Sequence, residues 1–219
     1  MYHQGIGGVS FVLCNTDAQA LRNSPVPVKV QLGAKGEGAG NIPEVAKKLA
    51  EESAAEVEAL FDDNTRMAFI TAGMGGGTGT GAAPVVARIA KEKGVLTVGI
   101  VTIPFLFEGE PKILQAFAGV EEMRKHVDAL LVINNERLCK IYPDLSWTTA
   151  FAKADDSLSN AARSIAELVS KDGKINLDFA DVRTTLKDGG AAVISTGSGE
   201  GEHRMSRAIQ NALTSPLLK

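Results

Sequence analysis

The sequence predicts an α/β protein with a Rossmann-like parallel sheet and helices on both faces, for three reasons. Apolar runs typical of buried strands, at residues 67–71, 96–103 and 129–133, alternate with helical segments. A glycine-rich stretch joins the first of these strands to a helix predicted over residues 82–93. Apolar residues recur every three or four positions over residues 148–169, which indicates a long amphipathic helix.

The composition narrows the class of protein. A chain of 219 residues that is 44% apolar suits one α/β domain, or one domain and part of a second. The net charge of −3 does not favour nucleic-acid binding. Cys14 and Cys139 have no metal-like spacing, so we expect reduced thiols and no metal site. No apolar run is long enough to span a membrane, and no signal peptide precedes the first strand.

Shorter elements complete the predicted order. Residues 1–9 are predicted to be the end of a helix capped by Gly5, and Tyr142-Pro143-Asp144 a turn. The remaining predictions are strands at 10–14, 26–32 and 191–195, a loop at 33–41, and helices at 18–22, 43–61, 111–125, 179–186 and 202–213.

The glycine-rich stretch predicts an anion site. Glycines let the backbone approach a phosphate closely, and a helix start adds unpaired N–H donors and the positive end of its dipole. A plain connector is the alternative, but six glycines in the nine residues 73–81 carry a large entropic cost for a simple turn. The candidate binding residues are Gly75, Gly76, Gly77, Thr78, Gly79, Thr80 and Gly81.

Two common phosphate loops fit this stretch poorly. The Walker pattern needs Gly-Lys-Ser/Thr after its glycines, and no such Lys is present. The dinucleotide fingerprint fits loosely as Gly77-x-Gly79-x-x-Ala82, but it needs an acidic residue at the end of the next strand. That strand ends in Thr102-Ile103-Pro104, so binding of a nicotinamide dinucleotide by an oxidoreductase is a weaker alternative.

The run Gly75-Gly-Gly-Thr-Gly-Thr-Gly81, followed by Ala82-Ala-Pro84, resembles the signature of the tubulin/FtsZ family, which includes the bacterial cell-division GTPases. The similarity continues along nearly the whole chain. The resemblance implies that this loop wraps the phosphates of GTP, with Mg²⁺ sharing the charge. It also implies a cytoplasmic protein at the division site, which assembles with itself into a head-to-tail filament.

An aromatic ring and a carboxylate on the central helix suit a guanine base. Phe151 and Asp155 are four residues apart and therefore share a helix face, so the ring can stack while the carboxylate accepts from the guanine N–H groups. A core Phe beside a surface Asp is the alternative, but the family uses this spacing for guanine. Asp156 points about 100° away and is the weaker candidate.

Other candidates follow the predicted strands. Asn15, Thr16 and Asp17 either cap a helix or line the nucleotide, and the resemblance favours the second role. It also assigns Gly38-Ala39-Gly40 to a loop near the γ-phosphate and Glu108 to the ribose. Lys112 stands where the family usually has Arg, and Lys cannot make the forked contact. Asn135 ends a strand at the same edge.

The hexapeptide Asn176-Leu-Asp-Phe-Ala-Asp181 carries the candidate catalytic residues. Asn176, Asp178 and Asp181 could bind a cation or orient a water, or they could simply cap the next helix. The hexapeptide resembles the family's catalytic loop, which reaches the GTP held by the next subunit. By that resemblance, Asp178 and Asp181 polarise the attacking water.

The predicted organisation is a GTP-binding domain over residues 1–175, with a central helix at 148–170, and the start of an α+β domain at 176–219. The resemblance implies a further strand and phosphate loop before Met1, so we expect this chain alone to bind GTP weakly. A non-catalytic structural fragment that keeps polymer contacts but cannot hold GTP is an alternative function. Division-ring proteins are expected to bind through segments outside this chain, without nucleic acid and without direct membrane insertion.

Overall fold

The computed structural model describes residues 1–142, 146–170, 178–195 and 197–213 and confirms the α/β class. Its strands are β1 (Val12–Asn15), β2 (Val28–Gln31), β3 (Met67–Gly73), β4 (Leu96–Ile103), β5 (Ala129–Asn134) and β6 (Gly190–Ala191). Its helices are α1 (Ala18–Asn23), α2 (Pro43–Glu52), α3 (Ala54–Glu58), α4 (Gly77–Glu92), α5 (Glu110–His126), α6 (Asn135–Ile141), α7 (Trp147–Ser170), α8 (Phe179–Leu186) and α9 (Arg204–Leu213).

All strand pairings are parallel, and helices cover both faces of the larger sheet. Strands β3, β4, β5 and β6 form one sheet in that order, and β1 pairs with β2 in another. Alternate side chains of β4 enter different cores. Val98 and Ile100 pack with α7, whereas Val101 and Ile103 pack with residues of α4 and α5. Such two-sided burial is why β4 is a continuous apolar run.

The central helix α7 lies along the sheet through the stripe that its sequence predicts. Ala154, Leu158, Ala161 and Ile165 are all buried, which confirms four of the six predicted apolar contacts. The side chain of Leu168 lies outside the described residues. Phe151 is 43% exposed, because the first turn of α7 meets other aromatic rings rather than the sheet.

The helix after the glycine-rich loop begins at Gly77, so the prediction that it starts at residue 82 was wrong. The low helix propensity of glycine argued for a later start. Tertiary packing overrides that preference here. A Cβ on Gly79 would overlap the carbonyl oxygen of Gly73, and one on Gly81 would overlap that of Pro43. The glycines let the first turns of α4 lie directly against neighbouring backbone.

Several other boundaries differ from the predictions. The helix predicted at 43–61 is interrupted at Ser53, the strand predicted at 191–195 pairs only over Gly190–Ala191, and α6 was not predicted. The first residues form a short 3₁₀ turn, Tyr2–Gln4, rather than an α-helix end, although Gly5 caps it with a φ of 59°. The predicted turn at Pro143-Asp144 lies outside the described residues.

The two sheets meet without strand pairing between β1 and β3 in the part of the chain described above. Val12 in β1 is 41% exposed, and Thr71 in β3 is also exposed. A side-chain contact of 2.7 Å between the hydroxyls of Thr16 and Thr78 bridges the two parts at the carboxyl ends of the strands. Among the described residues, no helix combines the length and the apolar character needed to cross a bilayer.

Partial burial of Cys14 in β1 gives a testable chemical consequence. Desolvation raises the pKa of its thiol to about 11. At pH 8 only about one Cys14 thiol in a thousand is then ionised. Free cysteine, with a pKa of about 8.5, is ionised to a much larger fraction at the same pH. A more basic thiolate is also more nucleophilic, so the alkylation rate falls less than the ionised fraction does. We expect about tenfold slower alkylation of Cys14 than of free cysteine. Peptide mass spectrometry after timed iodoacetamide treatment resolves Cys14 from Cys139. A Cys14 rate equal to that of free cysteine would contradict this account.

Candidate functional site

The carboxyl ends of β3, β4 and β5 meet at one edge of the larger sheet. Ile103 of β4 is in register with Asn134 of β5, and β3 runs directly into the glycine-rich loop. Ligands of parallel α/β sheets bind at this edge, where loops leave the strands. The structure therefore places the predicted loop where a ligand site of this architecture is expected.

Backbone groups at the start of α4 form the centre of the site. Gly75 has a φ of 100°, and an added Cβ would lie 2.7 Å from Cγ of Pro104 and 2.9 Å from the carbonyl oxygen of Lys112. Its N–H donates to Oγ1 of Thr80 at 2.9 Å, which fixes the loop. Gly76 is the N-cap and has no side chain to cap the helix, so the first-turn amides of α4 receive no bond from an N-cap side chain in the described structure. Such amides suit an anion.

Gln115 joins the glycine loop to its neighbour and was missed by sequence reasoning. From α5 its amide nitrogen donates to the carbonyl of Gly75 at 3.1 Å and to that of Asn41 at 3.3 Å. Asn41 has a φ of 62° and ends the loop that contains Gly38 and Gly40. The only sequence signal was the position of Gln115 one turn after Lys112 on the same helix.

Three aromatic rings bring α7 to the same edge. Phe105 follows β4 and stacks on Phe107 with centroids 4.9 Å apart, and Phe151 meets Phe105 edge-on at 5.2 Å. Asp155 is exposed, and its carboxylate makes no hydrogen bond among the described residues. Asp156 instead accepts a 2.6 Å hydrogen bond from Gln4. The exposed ring and the unpartnered carboxylate are the two groups that the sequence singled out.

Glu108 and Lys112 contact each other. One oxygen of Glu108 accepts from the N–H of Phe105 at 3.0 Å, and the other lies 3.4 Å from Nζ of Lys112. Each carboxylate oxygen of Glu108 and the ammonium of Lys112 retain further hydrogen-bonding capacity, so both predicted contacts, with ribose and with phosphate, stay predictions. Asn135 is only 5% exposed, and its Oδ1 has no hydrogen-bond partner among the described residues. A buried acceptor without a donor fits a ligand that brings one.

The predicted catalytic carboxylates form a helix cap. Oδ1 of Asp178 accepts from the N–H of Asp181 at 2.9 Å, and Oδ2 of Asp181 accepts from the N–H of Asp178 at 3.2 Å. This reciprocal box explains the start of α8. It uses one oxygen of each carboxylate and leaves the other oxygen without a partner in the described structure. Asn176, the third predicted member, lies outside the described residues.

These carboxylates lie at the opposite edge of the sheet from the glycine loop. The ring of Phe179, beside Asp178, lies 4.0 Å from the guanidinium carbon of Arg66, and Arg66 immediately precedes β3. The seven residues of β3 separate that point from the glycine loop by about 20 Å. The two sets of candidate residues therefore do not meet within one copy of the chain.

The described residues offer no cage for a metal ion. No group of three or more His, Cys, Asp or Glu side chains is placed to bind one in the ranges that the structure covers. Mg²⁺ usually keeps several waters and takes one or two carboxylates together with substrate phosphates. A Mg²⁺ ion at the glycine loop would thus be held mainly by a nucleotide's own oxygens.

Comparisons with known proteins agree with this architecture. Residues 1–143 match the family model described as "Tubulin/FtsZ family, GTPase domain". The chain is 65% identical to the cell division protein FtsZ of Porphyromonas gingivalis, over all of this chain and 49% of that protein. It is 46% identical to FtsZ 1 of Methanocaldococcus jannaschii, over 98% of this chain and 60% of that one. The chain thus spans about half the length of the first of these relatives.

A solved structure extends the likeness to three dimensions. The structure titled "FtsZ dimer, empty (M. jannaschii)" superposes with a TM-score of 0.92 at 45% identity, over 99% of this chain and 64% of that chain. Fold and loop together define a parallel α/β protein with a glycine-rich loop at the carboxyl edge of its sheet. The chain belongs to the Tubulin/FtsZ family.

Proposed function

We propose that this chain binds GTP at the glycine-rich loop and hydrolyses it between copies stacked head to tail, in bacterial cell division. One observation carries the proposal: the candidate pocket and the candidate catalytic carboxylates lie at opposite edges of one sheet. A head-to-tail contact brings opposite edges of two copies together. The solved relative titled as an FtsZ dimer supports self-association of such chains.

Binding follows from the groups at the carboxyl edge of the sheet. Amides in the first turn of α4 hold phosphate oxygens and stabilise the charge that grows on them during phosphoryl transfer. Phe151 stacks on the base, and Asp155 accepts from guanine donors that adenine lacks. Asn135 offers a buried acceptor directly after β5, at the same edge of the sheet.

Hydrolysis uses the partner copy's α8. The two oxygens left over by the capping box, Oδ2 of Asp178 and Oδ1 of Asp181, can accept hydrogen bonds from a water. Their charge orients that water toward the γ-phosphorus and favours loss of its proton. Mg²⁺ bound to the nucleotide would supply further charge neutralisation.

Guanine selectivity tests the proposed pocket. In the Asp155→Ala variant the guanine donors stay unpaired at a cost of about 1–3 kcal/mol, so GTP affinity should fall by roughly 5- to 150-fold. Fluorescent GTP and ATP analogues, titrated in parallel, measure both affinities. Asp156→Ala is the matched control, because Asp156 is adjacent and bonded to Gln4 instead.

Three outcomes would reject this assignment. They are equal affinity of the unmutated chain for GTP and ATP, an Asp155→Ala variant that binds GTP as the parent does, and an equal loss in Asp156→Ala. The same titration with NADH tests the oxidoreductase alternative, which the absence of an acid in residues 102–104, where β4 ends, disfavours. Polymer contacts without GTP binding would instead support the non-catalytic alternative.

A further inference from the structure

Helix α8 is held to the edge of the sheet opposite the glycine-rich loop by a cation at each of its ends. At the first turn, the guanidinium of Arg66 lies 4.0 Å from the ring centroid of Phe179. Just past the last turn, Nζ of Lys91 lies 3.2 Å from Oδ1 of Asp188. We propose that Arg66 and Lys91 are positioning residues that keep Asp178 and Asp181 in a fixed orientation toward the next subunit.

Arg66 is a firm support for the first contact. Its carbonyl oxygen accepts the N–H of Leu96 at 3.1 Å, so its backbone is tied to the neighbouring strand β4. Phe179 lies between Asp178 and Asp181 in the first turn of α8, so displacement of its ring moves both carboxylates. A cation over an aromatic face contributes modestly to stability at an exposed site. Here the contact holds Phe179, the residue next to the candidate catalytic Asp178.

Lys91 is the centre of the second contact. Each of its three possible donors has an acceptor at 3.2 Å: the carbonyl of Val127, Oδ1 of Asp128 and Oδ1 of Asp188. Asp128 is nearly buried, and its other oxygen accepts from the N–H of Thr97 at 2.9 Å. Lys91 thereby ties the segment after α8 to a fixed carboxylate of the core.

The charge on Lys91 is secure at neutral pH. Desolvation lowers its pKa, but hydrogen bonds to Asp188 and Asp128 and their negative charge outweigh that effect and raise it overall. Between the two ends, Val182 is buried and Leu186 packs on the core. Helix α8 is therefore fixed at its start, its middle and its end.

Hydrogen exchange of the α8 amides tests this positioning directly. Arg66→Leu removes the cation, and Asp188→Gly removes the carboxylate while tolerating the φ of 53° at that position. Each variant should speed exchange across α8 by about threefold, and the double variant by about tenfold, since the ends are far enough apart to act independently. Lys93→Met is the matched control, because Lys93 pairs at 2.8 Å with Glu58, away from α8.

A kinetic measurement separates positioning of Asp178 and Asp181 from a general loss of stability. This measurement rests on the proposed function. In Arg66→Leu, kcat for GTP should fall while KM and polymer pelleting stay as in the parent, and Arg66→Lys should restore kcat because it returns a cation to the ring. Unchanged exchange in both single variants, or Arg66→Lys behaving as Arg66→Leu does, overturns the inference. A parent chain without GTP turnover rejects the proposed function, whereas the exchange data decide on the positioning by themselves.

Discussion

Asp181→Asn should abolish GTP turnover while leaving nucleotide binding and subunit contacts intact. The amide oxygen of Asn still accepts from the N–H of Asp178, so the start of α8 is retained. What is lost is the negative charge of the carboxylate and the acceptor at Oδ1, the oxygen that the capping box leaves over and that is proposed to hold the water. Loss of one positioned general base costs about 10²- to 10⁴-fold in rate. Phosphate release measures turnover, fluorescent GTP measures binding, and pelleting measures assembly.

Mixing two inactive variants is the control for a shared site. Asp181→Asn keeps an intact pocket, and Gly76→Trp keeps intact carboxylates while its side chain fills the phosphate site. Gly76 accepts a side chain without backbone strain, because its φ is −100° and a Cβ there would meet only Oδ1 of Asn41, at 3.8 Å. The mixture should recover part of the activity at interfaces that join the two intact halves. No recovery in a mixture that copelletises would contradict a shared site.

Gly79→Ala should destabilise the chain and remove GTP binding together. A methyl group at this position overlaps the backbone carbonyl of Gly73, so either α4 or the end of β3 must move. Overpacking of this kind costs about 1–3 kcal/mol or more, against a helix-propensity gain of up to about 1 kcal/mol. A shifted α4 no longer presents its first-turn amides to phosphate. Thermal unfolding and GTP titration measure the two effects.

Gly76→Ala is the matched control for the stability effect. It adds the same methyl group three residues earlier, where the space is open, so its unfolding midpoint should stay within a degree or two of the parent. A Gly79→Ala chain as stable as Gly76→Ala would show that the close approach of α4 to β3 is not required for folding.

The predictable parts of the fold are those in which local pattern and burial agree. The bounds of β4 and α8 match their predictions, because a two-sided apolar run and a capping box are local signals. The start of α4 was missed, because the packing of Gly79 and Gly81 against distant backbone is a tertiary property. The prediction of a strand over residues 191–195 was wrong for the same kind of reason, since of that range only Ala191 pairs with β5, together with Gly190 before it.

The candidate site divides in the same way. The glycine loop could be predicted from the spacing of its own residues, and the pair Phe151 and Asp155 from their spacing along one helix. The bond between Glu108 and Lys112 could have been suspected from their separation of four residues, but the bond from the N–H of Phe105 to Glu108 depends on the turn after β4. Gln115 and the contact between Thr16 and Thr78 join segments 40 and 62 residues apart, and no local pattern encodes such distances.

The rate of GTP hydrolysis per subunit, measured as a function of protein concentration, tests the central claim most directly. The pocket and the carboxylates lie about 20 Å apart along β3. Under the proposed function, a single copy therefore lacks a complete site. The predicted result is a rate near zero at low concentration that rises once copies associate, with pelleting appearing over the same range. A rate per subunit that stays constant with dilution would contradict a site shared between subunits.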